Sequence, residues 1–167
     1  MNQSHTEIDN GDYDRAIATA SEAMRLDPKS ALAVVNRGVA YTRKGDNDRA
    51  IADYNEAIRL DPKYSLAFFN RGLGYSKKGD NDRAIADYTE AIRLNPNVAR
   101  TFNNRGFLYF KKGDTRRAIA DYDEAIRLDP KNALAFCNRG NAKLKVKEAS
   151  GNSDIAKARQ LDASICR

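Results

Sequence analysis

Asn36, Asn70, Asn104 and Asn138 recur at a constant 34-residue interval. An asparagine side chain carries one acceptor and two donors, enough to pair with both polar groups of a backbone peptide unit. A column of them on one surface is a means of holding an extended peptide without choosing its side chains. Arg43, Lys77, Lys111 and Lys145 keep the same interval and fall one turn further along nearly the same face. Two roles stand open for these cations: steering an acidic segment toward the face, or complementing the negative pole at a helix C-terminus. Groups that would do covalent chemistry are missing from the pattern. No nucleophile pairs with a base, and no His/Cys/Asp/Glu cluster has metal-ligand spacing. Gly45, Gly79 and Gly113 are each followed by an aspartate that would repel phosphate. The reading is therefore no enzyme, no cofactor and no metal. His5 is the single histidine, and Cys137 and Cys166 have neither the number nor the spacing of a zinc site. Two ordinary thiols are expected, and a disulfide requires the C-terminal segment to fold back on the last repeat.

The elements that must position these columns are written in the same rhythm. Pro28, Pro62, Pro96 and Pro130 share the 34-residue spacing, as do Gly38, Gly72, Gly106 and Gly140. Aligned, residues 31–64 and 65–98 agree at 23 of 34 positions. Such a chain is an array of one supersecondary unit stacked on its neighbours. Within one unit, Val34, Gly38 and Tyr41 lie on one helical face, and Ala50, Tyr54 and Ala57 on another. Arg43-Lys44-Gly45-Asp46 punctuates them: cations at a helix end, a glycine able to turn left-handed, and an aspartate to cap the next helix. Pro62 forbids continuation. The spacing predicts antiparallel helix pairs at 31–44 and 47–60, 65–78 and 81–94, 99–112 and 115–128, and 133–146 and 152–162. A lone helix is predicted at 13–26. Small Gly38, Ala50 and Ala57 let backbones approach, and Tyr41 and Tyr54 fill the space between.

Composition limits the partners. Apolar residues are 41% and charged residues 31%, with no apolar run long enough to span a bilayer. Residues 1–12 are polar and lack a signal core, so a cytoplasmic location is expected, or a periplasmic or secreted one had a signal been removed. The net charge of +6 would suit nucleic acid. Acids and bases alternate through each unit, however (Asp46, Asp48, Arg49, Asp53, Glu56, Arg59), which argues for a solvated helix surface instead.

These residues and offsets resemble the tetratricopeptide repeat family: Val34, Arg37-Gly38, Tyr41, Ala50, Tyr54, Ala57 and Pro62, with Phe68 and Phe102 in the first slot of the next units. The resemblance implies an all-α, right-handed α-solenoid of stacked antiparallel helix pairs with 34-residue repeats. It covers a single array at 13–163: a half repeat (13–30), full repeats (31–64, 65–98, 99–132) and a degenerate capping repeat (133–163), between a polar tail at 1–12 and a C-terminal tail at 164–167. Arg37, Arg71, Arg105 and Arg139 depart from the family's usual leucine, and are expected to reach Asp53, Asp87 and Asp121 in a structural role. In this family a second stripe on each first helix lines a concave peptide groove. Here that stripe is Leu32, Val35 and Val39, then Leu66, Phe69 and Leu73, then Asn103, Phe107 and Phe110 beside Arg100. Contact between adjacent first helices is the competing role for the same residues. Family members with an asparagine ladder at this position hold peptides with it. A carboxylate clamp of the co-chaperone kind is not expected, since Arg100 is the one cation in its slots. The resemblance thus implies a scaffold or adaptor binding a protein or peptide partner. The alternative is a self-assembling homo-oligomer that associates through the incomplete first repeat or through the groove.

Overall fold

The computed structural model describes residues 3–166; Met1, Asn2, Arg167 and the side chains of Gln3 and His5 lie outside the described residues. Its regular elements are helices: α1 (Gln3–Asp9), α2 (Tyr13–Leu26), α3 (Ala31–Lys44), α4 (Asn47–Leu60), α5 (Ser65–Lys77), α6 (Asn81–Leu94), α7 (Ala99–Lys111), α8 (Thr115–Leu128), α9 (Ala133–Lys145) and α10 (Gly151–Leu161). They divide into two compact units, Met1–Leu94 and Asn95–Arg167. In the first, α1 packs on α2, α3 on α4 and α5 on α6, with α2 against α3 and α4 against α5 joining the pairs. In the second, α7 packs on α8 and α9 on α10, joined through α8 against α9.

Local chemistry sets the ends. The Asp46 carboxylate accepts from the Arg49 backbone N–H at 3.0 Å, and Asp12 and Asp114 cap α2 and α8 in the same way. Gly45 takes φ 90°, a conformation a side chain would disfavour, and so ends α3. Within each pair the glycine of the first helix faces the tyrosine of the second. A Cβ at Gly38 would lie 2.6 Å from Tyr54 Cε1; at Gly72 and Gly106 it would lie 2.9 Å from the same atom of Tyr88 and Tyr122. Those three tyrosines are fully buried. The Tyr54 and Thr42 hydroxyls share a hydrogen bond of 2.9 Å, and Thr42 Oγ1 lies 3.0 Å from the Gly38 carbonyl oxygen.

Expectations need correction at both ends of the chain. Residues 1–12 do not form only a polar tail, because residues 3–9 form α1, with Ser4, Glu7 and Ile8 buried. The physical reason is an exchange of sizes. Ser4 stands 34 residues before Gly38, and Ala20 stands 34 before Tyr54, so a larger residue in the glycine slot meets a smaller one in the tyrosine slot. Ser4 Oγ donates to the Ala16 carbonyl at 3.3 Å. Asn10-Gly11-Asp12 was the available signal: it repeats the Gly45-Asp46 punctuation, and Gly11 also has positive φ.

At the other end α10 has no tyrosine to offer. Gly140 and Gly151 approach backbone to backbone instead, a Cβ on Gly151 falling 2.5 Å from the Gly140 carbonyl oxygen. The cysteines are not free thiols. The segment after α10 folds back, and Cys137 and Cys166 form a disulfide with Cα atoms 5.8 Å apart.

Gly72→Val would drive a branched side chain into the buried Tyr88 ring. The expected cost is about 1–3 kcal/mol from overpacking, read as a lower urea midpoint of the helical circular-dichroism signal. An unchanged midpoint would contradict the close approach.

Candidate functional site

Charge is sorted between the two helices of each pair. The first helices α3, α5, α7 and α9 contain no aspartate or glutamate. The acids lie on the second helices and loops, where they engage the first-helix cations. Arg37 forks onto Asp53 at 2.9 and 2.7 Å, Arg71 onto Asp87 at 2.8 and 2.7 Å, and Arg105 onto Asp121 at 2.9 and 2.8 Å. These are the structural pairs expected from the sequence, and Arg139 adds a fourth with Asp154 at 2.8 and 2.6 Å. The forks also tie neighbouring repeats: Arg71 reaches Asn55 and Arg139 reaches Asp123, both at 2.7 Å. Further out, Arg49, Arg83 and Arg117 lie over Tyr41, Tyr75 and Tyr109 at 4.4–4.5 Å. Lys44 pairs with Asp14, and Lys78 with Asp48. Each of these cations is already committed to holding helices together.

What remains on the first helices of the first unit is a small set. Asn36 and Asn70 are only 7% and 9% exposed, yet neither side chain hydrogen-bonds to another described residue. Their polar atoms are not among the sealed ones, so they keep a path to solvent. Val35 does not join them at a surface. It is 1% exposed and sits in the cluster of Val34, Tyr54, Ala57 and Ala67, so α3 uses it to receive α5. Val39 is half-buried against Ile8, Ala16 and Ala40. Phe69 is 5% exposed with its ring 5.8 Å from that of Tyr88, a core position rather than a groove position. Leu73 is half-buried, and Leu32 and Leu66 are exposed. Arg43 is exposed, and Lys77 extends its Nζ to within 3.5 Å of the Thr42 carbonyl.

In the second unit the stripe is more polar. Phe107 is 45% exposed with Lys111 Nζ 5.7 Å from its ring, and Phe110 is half-buried under Lys145 at 4.6 Å. Asn103 is buried and accepts from Asn138 Nδ2 at 3.0 Å, which uses one donor of Asn138. Asn103 thus joins α7 to α9, and Asn138 is half-buried. Asn104 is half-buried and makes no side-chain hydrogen bond to a described residue, while Arg100 is exposed. The Asn103–Asn138 bond had no signal in the sequence, since one partner belongs to the apolar stripe. The acid-free first helices were legible there but show their meaning only once the partners of each cation are known.

Among the described residues no cluster of three or more His, Cys, Asp or Glu is placed to hold a metal, and no helix is long and apolar enough to cross a membrane. Family models described as tetratricopeptide repeat match residues 1–65 and 53–86, and a third, described as TPR repeat, matches residues 74–113 and 108–146. The chain belongs to the tetratricopeptide repeat family. No curated protein matches by sequence.

Several solved tetratricopeptide structures share the fold. A crystal structure of MamA superposes with a TM-score of 0.85 at 23% identity, covering 98% of this chain and 96% of that one. MamA 41-end from Desulfovibrio magneticus RS-1 gives 0.84 at 20% identity, covering 99% and 94%. YrrB, described as a TPR protein with an unusual peptide-binding site, gives 0.78 at 21% identity, covering 97% and 84%. The arginine forks and asparagine positions are features of this tetratricopeptide chain itself.

The last fork carries a pH dependence. Burial pushes the Asp154 carboxyl up, but hydrogen bonds from Arg139 and Lys143 outweigh it and hold the group below its ordinary value. Lys143 Nζ lies 3.0 Å from Asp154 Oδ2. A carboxyl lowered by folding contributes stability that is complete above its unfolded value, about 3.9, and is lost as pH falls through the folded value. Asp154→Asn should lower the unfolding midpoint at pH 7 by more than it does at pH 2–3. An equal loss at both pH values would contradict the assignment.

Proposed function

We propose that this chain is a non-enzymatic interaction scaffold whose first-helix faces hold a peptide segment of a partner protein. Membership of a family of protein-interaction repeats supports the coarse reading. The observation that carries the finer one is the pair Asn36 and Asn70. Buried polar groups are almost always hydrogen-bonded within the protein or to ordered water. These two amides are largely buried, unpartnered among the described residues and still reachable. A backbone peptide unit supplies the acceptor and donor each one lacks. Asn104 offers the same group on the second unit, beside Phe107 and Phe110. The peptide-binding site in the description of YrrB supports a ligand of this class on this fold.

Charge gives the partner's character. With no acid on α3, α5, α7 and α9, Arg43 and Lys77 in one unit and Lys111 and Lys145 in the other present positive charge toward whatever docks. A segment with aspartate or glutamate beside apolar side chains is the matching ligand. The half repeat that motivated self-assembly through the first repeat is occupied by the short helix α1, which packs on α2.

Peptides selected from a displayed library against the intact chain should bind the double variant Asn36→Ala/Asn70→Ala more weakly by about tenfold or more, each lost hydrogen bond contributing about 1 kcal/mol. Helicity should be unchanged. Selected peptides should be enriched in acids, and their affinity should fall as salt rises. Equal affinity for the variant by fluorescence polarisation would sink the role of the asparagines.

A further inference from the structure

We propose that residues 162–166 form a disulfide-locked clasp over the end face of α9, and that a dithiol reductant opens it. The repeat register defines the place. Cys137 stands 34 residues after Asn103, which in turn follows Val35 by twice that interval. In the inner repeats this slot faces the next first helix: Val35 shares a buried cluster with Ala67 of α5, and Asn103 accepts from Asn138 of α9. The slot one face further along behaves alike, the Thr42 carbonyl meeting Lys77 and the Phe110 ring meeting Lys145. Among the described residues no further first helix follows α9. Its Cys137 slot is nevertheless closed, with the residue 7% exposed.

The segment after α10 is what closes it. Asp162 makes a turn that accepts from Ser164 N and Oγ at 2.8 and 2.7 Å, and Ile165 N donates to the Asp162 carbonyl. Arg159 holds the Cys166 carbonyl with two hydrogen bonds of 3.0 and 2.6 Å. Ile165 is the segment's one half-buried aliphatic side chain, and Asp162, Ala163 and Ser164 are exposed. So few contacts leave the covalent bond as the main restraint on the segment.

The exchange step is defined by access. Cys166 is half-buried and Cys137 is buried, so a thiolate of the dithiol attacks Cys166 Sγ. The Cys137 sulfur leaves with the electron pair and takes a proton. The second thiol of the reductant then displaces Cys166 from the mixed disulfide. Two cysteine thiols form, and the dithiol is oxidised to its own disulfide. Without the bond, the segment is free to leave the end of α9.

The test uses the full chain with dithiothreitol as the dithiol and N-ethylmaleimide as the thiol probe. The oxidised chain should take up no maleimide. After reduction both cysteines should be labelled, and deuterium uptake at 162–166 should rise about tenfold or more while α3 and α4 keep their protection. Cys166→Ser, which leaves α9 intact, should expose Cys137 to maleimide without any reductant. Labelling of both cysteines after equilibration with oxidised glutathione would overturn the lock. So would a Cys137 that stays shielded, with 162–166 still protected, after the bond is reduced.

Discussion

Every helix pair in this chain depends on how closely two backbones can approach. Where Gly38, Gly72 and Gly106 face Tyr54, Tyr88 and Tyr122, a single methyl group would fall inside the ring's van der Waals envelope. Interiors are packed to crystal-like density, so such a contact has no slack to absorb it. The approach also brings the neighbouring arginine within reach of an aspartate on the second helix, which is why fork and glycine are adjacent wherever both occur. At the two ends the same constraint is met with different residues. Ser4 is offset by the small Ala20, and Gly140 meets Gly151.

Close pairing has an electrostatic consequence. The second helices supply the carboxylates that neutralise Arg37, Arg71, Arg105 and Arg139, and α3, α5, α7 and α9 carry no acids of their own. Fold stability and surface chemistry therefore come from one arrangement. The buried forks consume the cations that build the fold, whereas Arg43, Lys77, Lys111 and Lys145 near the C-terminal ends of the first helices stay exposed. Asparagines in the same helices either find each other, as Asn103 and Asn138 do, or stay open, as Asn36 and Asn70 do.

Much of the fold was legible in the sequence because the repeat makes the same statement several times. Proline, Gly-Asp punctuation and the Gly/Tyr alternation placed α2 to α9 within a residue or two. The first helix was obscured because α1 uses Ser4 and Ala20 in place of the marked residues, and only Gly11-Asp12 kept the signature. The disulfide was open in the sequence, since it depends on a segment folding back rather than on local propensity. The candidate site was legible in part. The asparagine column and the apolar stripe could be read from spacing, but burial separates their members: Val35 and Phe69 are buried, and Asn138 donates to Asn103. Amphipathic spacing cannot distinguish a helix face that meets a ligand from one that meets the next helix, because both demand the same residue types.

If the acid-free first-helix face receives the ligand, its open asparagines must sense it. The most direct measurement follows the side-chain amide signals of Asn36 and Asn70 by NMR while a selected acidic peptide is titrated in. Both signals are predicted to shift and saturate with the peptide's binding curve, while the side-chain amide of Asn55, on a second helix, stays unmoved. Saturable binding that shifts Asn55 and leaves Asn36 and Asn70 unchanged would contradict the assignment of the binding face.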